Sequence, residues 1–514
     1  MKSEKLQISL LPEECWWGGA VSDGVNTPFG SNPFIRDLTK LDENQGVPLL
    51  LSNKGRYVWC DAPFTFEFKD GLLIIYPQAF EVIFEEGFEN LKNVYGYVAK
   101  KYFPCSGKLP DKLAFSSPQY NTWIEMFYKP TEKKVLEYAA SIIEHGLPAG
   151  VLIIDDGWMI DYGNWRFCCE RFPSPKETID KLHAMGFKVM LWVCPYVSPD
   201  SDIFRSLQKE KILLDNADGV PVLRKWWNGY SAVIDYTNDA AVEWFSSQLN
   251  ELVEKYGIDG FKFDAGDPSG SDINDWSGKY VWNYHPYENY DCEAYAKIGL
   301  SYNLSEYRAC WKMGGKHLIQ RQKDKKPAWK NNGLDSLIPN GILQGLMGYP
   351  FSCPDMIGGG LEGDINSPGF KMDMELFIRY MQCSVFFPII QFSIAPWRIL
   401  NQEYFEHCLK MLRLRQKYVP EILKLARHAT VTGEPIIRHM EYAFPGNGFE
   451  KINDQFMFGD KILVAPVLEK GTIERSVTFP SGRWAGDDGS IIIGPTKIKT
   501  AAPIDRLPYY TLCD

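Results

Sequence analysis

The sequence predicts an α/β protein, a (β/α)8 barrel with an N-terminal β-sandwich and a C-terminal β-domain. Three observations carry this. Between about 112 and 400, short apolar runs end in polar residues and alternate with stretches of helical spacing. The segments on either side read as strands and turns. The length of 514 residues exceeds one ordinary domain. The expected units are 1–110 (sandwich), 111–428 (barrel) and 429–514 (β-domain).

In the first unit, Arg56 to Asp61 follows a turn at Asn53-Lys54-Gly55, and Phe64 to Phe68 alternates as a strand does. Lys69-Asp70-Gly71 supplies a turn before Leu72 to Tyr76. Packing two sheets face to face is the simplest way to bury such strands. In the second unit, Val151 to Ile154 ends in Asp155-Asp156-Gly157-Trp158, and Lys188 to Val193 ends at Cys194-Pro195. Phe261-Lys262-Phe263 ends at Asp264, and Val385 to Ile390 ends at Gln391. Continuous apolar runs suit strands buried on both faces, as in parallel sheets. Pro175 to Met185 and Ala240 to Tyr256 carry apolar residues at helical spacing between them. A barrel of this kind takes about 250 residues or more, which the region holds; a doubly wound sheet is the competing arrangement. A long helix, Gln402 to Lys417 and then Pro420 to Arg427, leads to the third unit. Its strands are expected at Ile462 to Val467, Ser476 to Pro480 and Ile491 to Ile493.

Composition excludes several classes. A net charge of −10 argues against nucleic acid or an anionic membrane as partner. No stretch approaches the roughly 20 apolar residues of a membrane span. Met1 to Leu11 has no apolar run of signal length, and the twelve cysteines form no CxxC, so reduced thiols and a cytoplasmic location are expected. The seven histidines show no HExxH spacing, and neither a P-loop nor a GxGxxG after a strand is present; neither metal nor organic cofactor is expected. Sixteen tryptophans and twenty-seven tyrosines suit surfaces that stack on sugar rings, and equally suit large β-rich cores.

What remains is carboxylate chemistry, and its centre is Gly257 to Asp267. Gly257 closes a helix, a short strand follows, and Lys262 and Asp264, two apart, point to one side. That side must be polar, because an unpaired lysine or carboxylate in a dry core is costly. A structural Lys–Asp pair at a strand end is the plain alternative.

The motifs in their order resemble glycoside hydrolase family 31 over nearly the whole chain. They are Ile154 to Trp158, Arg171-Phe172-Pro173, Leu191-Trp192-Val193 and Gly257 to Asp267, then Leu346 to Phe351, Pro354 to Gly359 and Leu463 to Pro466. The resemblance implies a retaining α-glycosidase and a carbohydrate substrate. Asp264 is then the nucleophile at the end of the fourth barrel strand. Two aspartates compete for the acid/base, Asp324 and Asp335. Family members often have an arginine sixteen positions before it and a tryptophan five after. Arg308 and Trp329 stand there for Asp324, whereas Ile319 and Asn340 stand there for Asp335. Asp324 is therefore the choice, although Lys323-Asp324-Lys325-Lys326 alone reads as solvated charge and Asp335 as a helix N-cap.

By the same resemblance the substrate-binding residues are Asp155 and Asp156, which accept from sugar hydroxyls, Arg308, which bridges a hydroxyl and a carboxylate, Lys262, which favours the ionised nucleophile, and Asp355 in the Asp355 to Gly359 segment; Trp192 with Trp226 or Trp227, of which Trp227 is chosen, walls the ring. Asp61 reaches in from the sandwich. Each has a plain alternative as capping, ion-pair or core residue. The chain also departs from α-glucosidase members, which have Trp-x-Asp-Met-Asn-Glu at the nucleophile, Trp-Ser-Gly-Asp at the acid/base and a histidine on the last strand. Here stand Phe261 to Asp267, Arg321-Gln322-Lys323-Asp324 and Gln391-Phe392-Ser393. These forms look more like the α-galactosidase branch, so a terminal α-galactoside is expected. The alternatives are an α-glucoside, xyloside, sulfoquinovoside or N-acetylgalactosaminide, or a catalytically silent carbohydrate-binding protein. Oligomeric state has no signature in the sequence.

Overall fold

A computed structural model describes residues 4–513 except 42, 79, 217, 269–279, 282–286 and 366. Its centre is eight parallel strands: β1 Gln119–Asn121, β2 Val151–Ile154, β3 Lys188–Val193, β4 Gly260–Phe263, β5 Leu304–Tyr307, β6 Ile319–Arg321, β7 Ser352–Cys353 and β8 Gln391–Phe392. They pair in chain order, with β8 beside β1. Between β7 and β8 the barrel is closed by isolated bonds. Ile357 N–H donates to Gln391 O (2.8 Å) and Ile389 N–H to Ser352 O (3.3 Å). The barrel, not the doubly wound sheet, is the architecture.

Helices return the chain between strands where the apolar spacing predicts them, at Pro175–Ala184 and Asp239–Tyr256. Asn238 caps the second through Ala240 N–H, and Gly257 ends it at φ 79°, a conformation that glycine adopts without penalty. Strand β4 follows at once. Phe261 and Phe263 turn outward onto Tyr302, Tyr295 and Tyr307, and Phe263 stacks on Tyr307 at 4.5 Å. Lys262 therefore points inward, in register with Trp192 and Glu306 on the neighbouring strands.

Two expected elements differ. Val385 to Ile390 is not a strand; only Gln391–Phe392 is. Pro388 has no N–H for a ladder, and the buried Arg415 guanidinium takes the carbonyls of Val385 (2.9 Å), Phe387 (2.6 Å) and Pro388 (2.7 Å). The long helix expected over Gln402 to Lys417 and Pro420 to Arg427 runs through Pro420 and on to Thr432. A proline inside a helix costs about 3 kcal/mol. The apolar face from Phe405 to Ala429, buried against the barrel, outweighs it. The boundary expected at 428 falls inside this helix.

The N-terminal part is two antiparallel sheets face to face around Trp16, Phe29, Leu50, Val58, Phe66 and Phe68. Strand Gln45–Ser52 alternates between two cores: Leu50 faces that cluster, Leu49 and Leu51 the barrel's. Cys310–Trp311, after β5, adds to its edge. The C-terminal part is a six-stranded sheet with its own core of Met457, Leu463, Phe479, Trp484 and Tyr510. All twelve cysteines are unpaired. Among the described residues no helix is long and apolar enough to cross a membrane.

Candidate active site

The C-terminal ends of the strands surround a cavity of about 240 Å³. Asp264 stands at its floor, just past β4, and is 8% exposed. Both carboxylate oxygens are held. Oδ1 accepts from Arg308 Nε (2.7 Å) and from the N–H of Ala265 (2.9 Å); Oδ2 accepts from the Trp192 indole N–H (2.9 Å). Ala265 takes φ 57°, a left-handed conformation uncommon for alanine, and this aims its N–H back at the carboxylate. Lys262 Nζ lies 3.7 Å from Oδ2. Burial raises the Asp264 pKa, but Arg308, Lys262 and Arg321 outweigh it and hold the carboxyl far below the usual range. It is a fixed anion.

Lys262 has a second partner, Asp155 Oδ2 at 2.7 Å. Burial lowers the lysine's pKa, yet Asp155 and Asp264 raise it above its ordinary value, so it stays cationic. Asp156 differs from its neighbour. Its Oδ2 accepts from the Tyr162 hydroxyl (2.9 Å), while Oδ1 is buried with no hydrogen-bond partner. Burial and then the charge of Asp155 push it up to about 7. Gly157 at φ 95° lets the Tyr128 backbone pass close behind: a Cβ there would meet Tyr128 O at 2.5 Å.

Asp324 lies on the cavity wall with its side chain 32% exposed, and it accepts from Arg321 Nη1 at 2.7 Å. The same Nη1 is bonded to Asp355, and Arg321 Nε lies 3.4 Å from Glu306 Oε1. Asp335 does not line this cavity; it borders a separate cleft with Lys330 and Arg475. Nor does it cap the following helix, whose N-cap is Ser336.

The structure thus brings Asp264, Asp324, Asp155, Asp156, Trp192, Trp227, Lys262 and Arg308 to one cavity. Two expected residues are not there. Asp355 is fully buried behind the wall, where Oδ2 accepts the Lys325 N–H (2.7 Å) and Oδ1 holds Arg321. It orders the loop carrying Asp324 and does not face the cavity. Asp61 is at the surface, accepting from the Trp59 indole (3.2 Å), because the edge of the sandwich turns it outward. The sandwich's contribution is Glu43 instead, which lines the cavity and takes Arg308 Nη1 on its backbone carbonyl (3.3 Å).

Further residues escape the sequence reading. Trp123 and Tyr128 line the cavity from the loop after β1, a strand of Gln, Tyr and Asn that has no apolar run. Asp267 takes the free edge of Arg308, Nη2 to Oδ2 at 2.8 Å, and burial pushes it up to about 6 against that arginine. Trp227 is half exposed, and Arg308 lies over its ring at 5.4 Å. Among the described residues no group of three or more His, Cys, Asp or Glu side chains converges as metal ligands do.

Known proteins resemble this chain in sequence and fold. Residues 108–425 match the glycosyl hydrolases family 31 TIM-barrel domain, and residues 433–512 match the family 31 C-terminal domain. The myogenesis-regulating glycosidase of Mus musculus is 32% identical over 82% of this chain and 60% of its own length. The SITS-binding protein of Tetronarce californica is 29% identical over 59% of this chain and 44% of itself. The α-xylosidase of Saccharolobus solfataricus is 24% identical over 92% and 65%. The chain therefore spans less than two thirds of these relatives. Among solved structures, a Flavobacterium johnsoniae dextranase with glucose superimposes at a TM-score of 0.86 with 21% identity, over 99% of this chain and 66% of that one. A sulfoquinovosidase from E. rectale superimposes at 0.85 with 19% identity, over 99% and 82%. Since the barrel model alone matches more than half of the sequence, the chain belongs to glycosyl hydrolase family 31.

Proposed function

We propose that the protein is a retaining exo-α-glycosidase that removes terminal α-galactosyl residues by double displacement. Asp264 attacks the anomeric carbon while Asp324 protonates the departing oxygen. Asp324 then takes a proton from the water that releases the sugar from Asp264. The observation that carries this reading is the contrast between the two carboxylates on one small cavity. Asp264 is buried and kept ionised by Arg308 and Lys262, as a nucleophile must be; Asp324 stands on the same cavity with its side chain a third exposed, where a departing oxygen and water can reach it. A silent binder has no use for a carboxylate locked as an anion beside a second one.

The sugar is read from Lys262, Pro354-Asp355-Met356 and Gln391-Phe392-Ser393, the forms that separate the α-galactosidase branch from α-glucosidases. Gln391 supports a departure from the latter, since its amide is consumed below the cavity by Gln119 Oε1 (2.7 Å) and Glu306 Oε2 (2.8 Å). The named relatives and structures include a xylosidase and a sulfoquinovosidase, so other α-glycosides belong in the test. Hydrolysis of 4-nitrophenyl α-galactoside is measured beside the α-glucoside and α-xyloside. Preference for the galactoside is expected; preference for another glycoside would keep the mechanism and replace the sugar, and turnover of none would point to the silent binder.

A further inference from the structure

Two short hairpins meet at the wall of the catalytic cavity. Asp156-Gly157-Trp158 runs into the first, Met159–Asp161 paired with Asn164–Phe167, whose two-residue turn is Tyr162-Gly163. The second joins Leu223–Trp226 to Gly229–Val233 through the turn Trp227-Asn228. The first turn is held in place. Ser198 N–H donates to Tyr162 O (2.9 Å), and a Cβ on Gly163, at φ 86°, would meet Val197 at 2.9 Å, so the position needs glycine.

Tyr162 reaches several parts of the sugar site without lining the cavity itself. Its hydroxyl donates to Asp156 Oδ2 at 2.9 Å. Its ring packs on Trp192 at 5.9 Å and edge-on to Trp226 at 4.9 Å, and Trp226 packs on Trp227 at 4.8 Å. Asn228, next to Trp227 in the turn, donates its side-chain amide to the same hydroxyl. A phenol carries one proton and an amide N–H only donates, so the chain runs one way, from Asn228 through Tyr162 to Asp156. A hydrogen bond delivered to a carboxylate favours its charged form.

From these contacts we propose that Tyr162 is a positioning residue for the sugar: through its hydroxyl it ties Asp156 to the turn that presents Trp227, so that a polar and an apolar contact with the ring are set together. The proposal rests on the reading of this cavity as the site of a glycosidase. Asp156 has charged groups on several sides. Asp155 is next to it, with Lys262 bonded to that carboxylate; Asp264 lies past β4, and Arg171 on the outer side. The Cys194 thiol past β3 and the Tyr128 phenol are also close. Burial and then Asp155 raise the Asp156 pKa, and the Tyr162 hydroxyl pulls it the other way. Without that hydroxyl Asp156 keeps its proton to a higher pH.

The test is Tyr162→Phe, which keeps the ring and removes the hydroxyl. Values of kcat and KM are measured across the titration of Asp156 on 4-nitrophenyl α-galactoside, or on the α-glucoside or α-xyloside where the enzyme prefers one. KM near neutral pH should rise about fivefold with a smaller loss in kcat, and the fall of KM with pH should move up by about one unit, as the loss of one hydrogen bond to a charged group implies. Asn228→Ala, at an exposed turn, should move it the same way by less, and it carries the test where Tyr162→Phe does not fold. A KM raised equally at every pH, with the transition unmoved, would mean packing alone and overturns the proposal, as does an unchanged profile. Should no glycoside be turned over, carbon-13 NMR of carboxyl-labelled aspartates reads the chain directly. The signal lost in Asp156→Asn should titrate at higher pH in Tyr162→Phe. Such a shift supports the positioning role and places the failure in the activity; its absence overturns the role.

Discussion

Asp264 is bonded on both oxygens, and that restraint sets what its loss should do. Asp264→Ala removes the nucleophile, and turnover should fall by roughly 10³- to 10⁴-fold while the circular dichroism spectrum stays unchanged. Asp324→Ala should injure substrates with poor leaving groups most, because only those need the proton, and azide should restore activity with good ones. Rescue in Asp335→Ala instead would move the acid/base to that residue. Asp156 carries a pH prediction. Pushed up to about 7, it binds its proton more tightly in the folded than in the unfolded chain. That contribution to stability is intact below about pH 4 and is lost as pH rises through about 7. A sugar hydroxyl donating to the unpartnered Oδ1 favours the ionised form, so KM should fall as pH rises through about 7. Asp156→Asn should flatten that dependence; an unchanged profile would detach Asp156 from sugar binding.

At the scale of the element, legibility followed chemistry. Strands β2 and β3 are apolar runs, and their bounds in the sequence and the structure agree. Lys262 and Asp264 were legible because β4 alternates outward phenylalanines with one inward charge. Strands β1 and β6 were not, and β8 was placed by the family resemblance and not by its pattern, because they carry Gln119, Asn121, Gln320, Arg321 and Gln391. These fill the barrel with hydrogen bonds, such as Gln391 to Gln119 and Glu306, where a search for apolar runs finds nothing. Missing β1 also hid Trp123 and Tyr128. The apolar run at Val385 to Ile390 misled for a complementary reason: its carbonyls bond to a side chain, not to a strand. Arg415 also holds Phe115 O at 3.0 Å. Arg415→Met should leave buried carbonyls without donors and cost about 3 kcal/mol, seen as a fall of several degrees in the thermal midpoint. A fall of less than about one degree would show that the carbonyls find other donors.

For the whole molecule, three β-rich and α/β segments were legible from composition and turn spacing, but not how they share residues. Asp61 and Glu43 illustrate this: both belong to the sandwich, both are acidic, and only the packing of that unit on the barrel decides which meets Arg308. The same packing joins the two units through Gln45. Its amide donates to the carbonyls of Arg308 (2.6 Å) and Arg321 (2.6 Å), the residues whose side chains hold Asp264 and Asp324. Leu49 and Leu51 meanwhile complete the barrel's own core. The sandwich is thus not a portable module. A chimera that keeps this barrel but borrows another relative's N-terminal unit inherits a foreign wall, a foreign Glu43 position and a foreign brace behind both carboxylates, so its substrate preference travels with the graft.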